Sequence, residues 1–359
     1  MTKKILTVAL LAGIIPFFFS SCSPKASKRK MKSEAVIYPA PPDPARIQYL
    51  TSISSSDNSV GKQSHFEKFV FGESSPKPIK KPYGVSVHGG KIYVCDAGIG
   101  GIEVIDLDKS NFEYFIPKGK GEMKLPLNCF VDDTGTIFVA DGRRREVLVY
   151  GPDRTYIGAI GGDSTYKPTD VYVYDDKIFV ADLGNKKIRV YRADDREPVT
   201  DFPDSASAKE ARLFMPTNIY VTNDRVYVSD MGDFNVKEYT HDGKFVKSVG
   251  SQGSGLGQLA RPKGIAVDAD GNLYVVDASF ENTQIFNKDG KLLMYFGGPY
   301  KGPGDMWLPA KVTIDYDNLR YFQKYLDPSY KMKYLVLVTN QYGPDKVNIY
   351  AAVEPKSKD

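Results

Sequence analysis

Short apolar runs follow one another along this chain in a fixed order, each closed by a turn. Gly264-Ile265-Ala266-Val267 comes after Arg261-Pro262-Lys263 and ends at the turn Asp268-Ala269-Asp270-Gly271-Asn272. Leu273-Tyr274-Val275-Val276 follows and ends on Asp277. Thr283-Gln284-Ile285-Phe286 leads to Asn287-Lys288-Asp289-Gly290, and Leu292 to Phe296 closes on Gly297-Gly298. Runs this short, bounded by Asp-Gly and Gly-Gly, predict four antiparallel strands joined by hairpins rather than helices. The opening proline recurs at Pro82, Pro126, Pro168, Pro216, Pro262 and Pro309, at spacings of 44, 42, 48, 46 and 47 residues. The closing aspartate recurs at Asp96, Asp141, Asp182, Asp230 and Asp277, with Asn340 in the sixth copy. A four-stranded unit has two apolar faces and cannot bury both alone, so copies must stack. The pattern predicts an all-β, six-bladed β-propeller over residues 45–353.

The sixth copy supplies Lys311–Asp315, Tyr334–Thr339 and Val347–Tyr350 but no fourth strand, while a spare strand, Arg46–Ile53, precedes the first copy. We expect that strand to complete the last blade and remove its open edge, leaving 354–359 as a short tail. The Pro-x-Gly-Ile-Ala-Val-Asp type of opening and the Tyr-Val-x-Asp strand end resemble NHL repeats. Over about residues 45–353 the chain resembles the six-bladed NHL propeller lipoproteins of bacteria. The resemblance implies the fold but names no partner, since one propeller hosts many unrelated functions.

Lys3 and Lys4, the apolar stretch Ile5–Phe19 and the end Ser20-Ser21-Cys22 read as an export signal over 1–21, too short to span a bilayer. Phe19-Ser20-Ser21-Cys22 resembles a bacterial lipobox, which implies cleavage before Cys22 and a membrane anchor on its sulfur. Ser23, in place of aspartate, favours the outer membrane within that resemblance. Residues 22–44, with Lys25, Lys28, Arg29, Lys30 and Lys32 followed by four prolines, are expected to form a basic, Pro-rich tether. Loss of 1–21 lowers the formal charge from +4 to +2, and the interspersed charges give no nucleic-acid signature. Cys95 and Cys129 fall in adjacent copies where other copies carry small or apolar residues, so two buried thiols are expected rather than a bridge.

Catalytic chemistry is thinly represented. His65, His88 and His241 fall outside the expected inner strands, and no catalytic histidine, haem, nucleophile-elbow or zinc-helix motif is present. The repeated Asp96, Asp141, Asp182, Asp230 and Asp277 end second strands, too far out to share one ion, and are expected to cap turns by accepting backbone N–H groups. Gly250, Gly253, Gly255 and Gly257 lie in a connection between copies and fit a flexible turn. The inner-strand residues read as mostly small or apolar, with no polar set converging on the channel. No cofactor and no metal are expected. Six-bladed propellers that are enzymes usually hold a metal in the channel, so a metal-dependent lyase or lactonase-like activity there is the alternative function.

Binding is the better-supported class. The second turns and the connections between copies share one face, and Lys118, Lys120, Lys124, Arg143, Arg144, Arg145, Lys186 and Lys187 would form a basic sector there for an acidic envelope protein or anionic glycan. Two insertions interrupt the repeat. Asp194–Arg212 is charged, with a short helix expected at Ser205–Leu213. Asn318–Lys333 carries Tyr321, Phe322 and Tyr325, which one helical turn would present together, either packed on blade six or as a contact surface. The sequence thus reads as a monomeric propeller anchored through Cys22 that serves as a binding or scaffolding module of the cell envelope.

Overall fold

The computed structural model describes residues 35–58, 75–204 and 206–356. Cys22, the export signal, the basic half of the tether, His65 and Ser205 lie outside them. Two short strands come first: β1 (Ile37–Tyr38) and β2 (Ile47–Ile53). Blade one is β3 (Pro82–His88), β4 (Lys91–Asp96), β5 (Gly101–Asp106) and β6 (Asn111–Phe115). Blade two is β7 (Pro126–Val131), β8 (Ile137–Asp141), β9 (Glu146–Tyr150) and β10 (Tyr156–Gly161). Blade three is β11 (Pro168–Tyr174), β12 (Lys177–Asp182), β13 (Lys187–Arg192) and β14 (Pro198–Phe202). Blade four is β15 (Pro216–Val221), β16 (Val226–Asp230), β17 (Asn235–Tyr239) and β18 (Phe245–Val249). Blade five is β19 (Pro262–Val267), β20 (Leu273–Asp277), β21 (Asn282–Phe286) and β22 (Leu292–Gly297). β23 (Pro309–Asp315), α1 (Leu319–Phe322), β24 (Tyr330–Asn340) and β25 (Val347–Pro355) complete the order.

Each blade is an antiparallel meander, and the first strands β3, β7, β11, β15, β19 and β23 contact one another around a closed ring. The sheet of blade six runs β1-β2-β25-β24-β23, so the N-terminal strand closes the ring as expected, pairing Ile47 with Ala352 and Ile53 with Val347. Period-2 alternation explains how the blades stack. In β20, Leu273 and Val275 pack toward Val236 and Val249 of blade four, while Tyr274 and Val276 pack toward Val312 and Val336 of blade six. The same division yields a separate apolar cluster at every blade junction.

Four details differ from the sequence reading. The tether is shorter than 22–44, because β1 pairs with β2 and the Tyr38 hydroxyl donates to Gly304 O at 2.9 Å. Likewise the tail is shorter than 354–359, since β25 runs to Pro355 with Glu354 opposite Lys331. The helix expected at Ser205–Leu213 is a single 3-10 turn, Lys209–Ala211. The insertion of blade six ends early, as β24 already includes Tyr330–Lys333.

Ile47 and Ile53 are buried and Leu50 nearly so, each worth about 2 kcal/mol of apolar burial. A chain begun at Ser54 exposes that core and the edge of β25. We expect it to self-associate and to melt at a lower temperature, as read by light scattering and calorimetry. A monomeric truncated chain of unchanged stability would contradict the closure.

Candidate functional site

The second turns and the connections between blades are tied together by the aspartate at the end of each second strand. All five carboxylates are fully buried. Asp277 accepts Ala260 N at 2.7 Å and Arg261 N at 3.1 Å from the preceding connection, then Ser279 N at 2.8 Å and Phe280 N at 3.1 Å from its own turn. Asp141 likewise accepts Lys124 N at 2.6 Å, Leu125 N at 3.0 Å, Arg143 N at 3.0 Å and Arg144 N at 2.9 Å. Asp96 holds Lys80, Lys81 and Gly98; Asp182 holds Lys167, Gly184 and Asn185; Asp230 holds Phe214, Met215 and Gly232. In blade six Asn340 has one carbonyl oxygen for Trp307 N at 3.2 Å, and Leu308 N turns instead to Glu281 at 2.9 Å. The second turn closes on a left-handed residue in each of blades one to five, and in four of them it is not glycine: Arg145 at φ 60°, Lys186 at φ 57°, Phe234 at φ 56° and Glu281 at φ 55°. Non-glycine residues seldom adopt that conformation unless the surrounding bonds hold them there.

Beneath the aspartate the third strand varies. Arg189 donates to Asp182 at 2.8 Å, and the buried Lys237 pairs with Asp230 at 3.2 Å. Blade one places Glu103 there. Burial, and then the adjacent Asp96 carboxylate, push the Glu103 carboxyl well above the usual carboxylate range.

The eight residues of the expected basic sector fall at this face, seven in connections and second turns of blades one to three and Lys187 as the first residue of β13. They are not equivalent. Arg144 is structural: its guanidinium bonds Lys120 O at 2.7 Å, Glu122 O at 2.9 Å and Glu146 at 2.6 Å. Lys124 pairs with Glu122 at 2.7 Å, Lys187 with Asp201 at 2.8 Å, and Arg145 donates to Ser164 O at 2.6 Å. Lys118, Lys120, Arg143 and Lys186 are exposed and have no ion-pair partner among the described residues.

The aromatic insertion lies elsewhere. It joins β23 to β24, so it belongs to the face of the first and third turns, opposite the basic sector. The basic sector and the insertion therefore do not meet. Nor does the helical turn present its three rings together. Phe322 is fully buried against the core of blades six and one. Tyr321 donates its hydroxyl to Asp108 of blade one, where Arg320 also pairs at 2.9 Å, and these bonds hold the Asp108 carboxyl below its usual range. Tyr325, 37% exposed, is the ring left outside. Gln48 of β2 fastens the insertion through Tyr325 O and Asp327 N, both at 3.1 Å. The insertion thus straps the closing strand.

Sequence reasoning missed two features. The first is a polar girdle in the channel. Asn128, Asp170, Asn218 and Lys311 occupy the second position after the opening proline, with Gly84 and Gly264 in the remaining blades. Lys311 pairs with Asp170 across the ring, from blade six to blade three, and Asn218 donates to the same carboxylate at 3.1 Å. Asn128 donates to Thr169 O at 2.7 Å. Each inner strand carries a β-bulge here, so strict alternation misplaces these side chains. At Gly84 a Cβ would stand 2.6 Å from Asn128 Cα, which shows how closely the inner strands approach. The unlike residues in this one repeat column were the available signal. The second feature is apolar exposure. Phe214, Met215, Leu256, Trp307 and Tyr342 are all exposed on the second-turn face over blades four to six.

Cys95 and Cys129 are buried free thiols in the junction of blades one and two, and burial pushes the Cys95 thiol well up. Contrary to expectation, His88 does fall within an inner strand, as the last residue of β3 at the first turn, while His241 bonds Thr222 O at 2.8 Å. The described residues contain no cluster of three or more His, Cys, Asp or Glu able to hold a metal.

Replacing Asp277 with alanine strands four amides, and we expect a loss of about 3 kcal/mol in urea unfolding, with Asp277→Asn costing less. Equal, small losses would show that the amides find other acceptors. For Glu103 the folded state holds the proton more tightly than the unfolded one, so its contribution weakens as pH rises above the unfolded carboxylate value. Glu103→Gln should raise the melting temperature more at about pH 8 than at about pH 4, and a pH-independent effect would contradict this assignment.

The family model described as "6-bladed beta-propeller" matches residues 207–343. No curated protein matches the chain. Among solved structures, a structural genomics protein of unknown function from Bacteroides thetaiotaomicron is 18% identical, with 86% of this chain and 76% of that chain covered at TM-score 0.57. A catalytically inactive virginiamycin B lyase from Staphylococcus aureus, solved with quinupristin, is 13% identical, with 76% and 95% covered at TM-score 0.54. The nidogen/laminin complex contributes a chain 18% identical, with 63% and 82% covered at TM-score 0.50. At these identities the likeness is one of fold. Blade count, closed ring and family model agree that the chain is a six-bladed β-propeller, with the family match lying in blades four to six.

Proposed function

We propose that this propeller is a protein-binding module of the cell envelope, held to the membrane by a lipid on Cys22, and that it docks an acidic partner on its second-turn face. One observation carries the reading: that face presents both the unpaired cations of the basic sector and a set of exposed apolar side chains. Lys118, Lys120, Arg143 and Lys186 stand over blades one to three. Over blades four to six, Leu256 is 81% exposed and Trp307 47% exposed, beside Phe214, Met215 and Tyr342. Aromatic, methionine and arginine side chains are the types enriched in protein interfaces, while the cations steer an acidic surface into register. Aliphatic Met215 and Leu256 favour a protein over a glycan, because sugars offer little apolar surface to cover them. The buried aspartates fix the loops in advance, so little conformational entropy is lost on docking.

A photo-crosslinking residue at Arg143 and another at Trp307, introduced separately in cells, should capture the same acidic protein. With the crosslinker at Trp307, the pair Arg143→Glu and Lys186→Glu should lower capture about tenfold or more. Different products from the two positions, capture that survives charge reversal, or retention of an anionic glycan in place of a protein would each overturn the reading.

A further inference from the structure

The channel opens on the second-turn face among cations that the basic sector does not include. Lys263, one residue after the opening proline of blade five, is only 4% exposed. Its ammonium lies over the Tyr83 ring at 4.7 Å and has no hydrogen-bond or ion-pair partner among the described residues. The positions just before the opening proline carry Lys81, Lys167 and Arg261 in blades one, three and five, alternating with Leu125, Met215 and Leu308. Those three basic side chains are exposed, and Lys81 Nζ lies over the Tyr342 ring at 5.5 Å. Nearby carboxylates are already committed. Asp277 serves four amides, and Asp170, one layer deeper, is held by Lys311 and Asn218. A nearly buried ammonium without a counter-charge is costly, and neighbouring cations add to the cost.

We propose that this mouth is a binding site for a small oxyanion, a phosphate or carboxylate group, held by Lys263 with Arg261 and Lys81 at the rim. The Tyr83 ring supports the lysine, and the Lys311–Asp170 pair closes the channel beneath. Burial, then Arg261 and Lys81, pull the Lys263 ammonium down to about 8, so an anion is the partner that restores its charge. Similarly, burial and then Asp170 push the Tyr83 hydroxyl up to about 12, which keeps it a neutral donor. This site adjoins the proposed protein-docking surface, since Lys81 lies over the Tyr342 ring, but its argument does not depend on that reading.

Calorimetric titration of the full-length protein with inorganic phosphate, repeated with citrate, tests the site. Binding should weaken about tenfold in Lys263→Met and by a smaller factor in Arg261→Gln, whose exposed side chain leaves the fold intact. Affinity should also fall as pH rises past about 8. Arg143→Glu, in the separate basic sector, should leave the titration unchanged. The proposal fails if neither anion binds, if Lys263→Met and Arg261→Gln bind as tightly as the parent, or if Arg143→Glu alone abolishes binding.

Discussion

A carboxylate removed from water must be met by donors, and in this protein those donors come from two different loops. That is the constraint on which the second-turn face depends. Asp96, Asp141, Asp182, Asp230 and Asp277 are fully buried, and each joins the turn after its own strand to the connection arriving from the previous blade. Apolar clusters hold blade against blade without direction, whereas these bonds fix where the loops stand. Arg143, Arg144 and Arg145 are exposed or half-buried side chains on a backbone that is itself anchored from below. Blade six departs from the pattern, since Asn340 offers one acceptor where the others offer two, and Glu281 of blade five supplies the second.

Much of this architecture is legible in the sequence because a propeller repeats its reasons. The proline, the glycine-bearing hairpins and the aspartate recur at nearly constant spacing, so each copy corroborates the others. Ring closure by Ile47–Ile53 follows from counting strands, since a blade of three leaves an edge that must be filled. What repetition shows well, it also conceals. Asp170 and Lys311 matter because they are unlike their counterparts in the other copies, and a bulge after each proline removes the alternation that would have placed them. The insertion of blade six left two readings open in the sequence. Composition marks Tyr321 and Phe322 as interface types, but only the tertiary contacts to Asp108 and the blade-one core show that the interface is internal.

The site that emerges divides into parts with different chemistry. Around the rim, the basic sector over blades one to three and exposed apolar side chains over blades four to six give a broad, rigid surface, and breadth with mixed character suits a macromolecule. At the axis, Lys263 sits nearly buried above a polar girdle, a scale suited to a single oxyanion. Both parts rest on the loops that the aspartates tie, and the residue just before each opening proline belongs to both, being Lys81 or Arg261 in one place and Met215 in another. A ligand at the axis would therefore touch the same connections as a partner on the rim.

The claim beneath this account is that the second-turn face is rigid because its amides are bonded to buried carboxylates. Hydrogen exchange measured residue by residue tests it most directly. The amides of Gly98, Arg143, Arg144, Gly184, Ser279 and Phe280 should exchange as slowly as those of the neighbouring strands, although they lie in surface turns. Exchange at the rate of an unstructured loop would contradict it, and the face would then be a set of independent loops rather than a preformed surface.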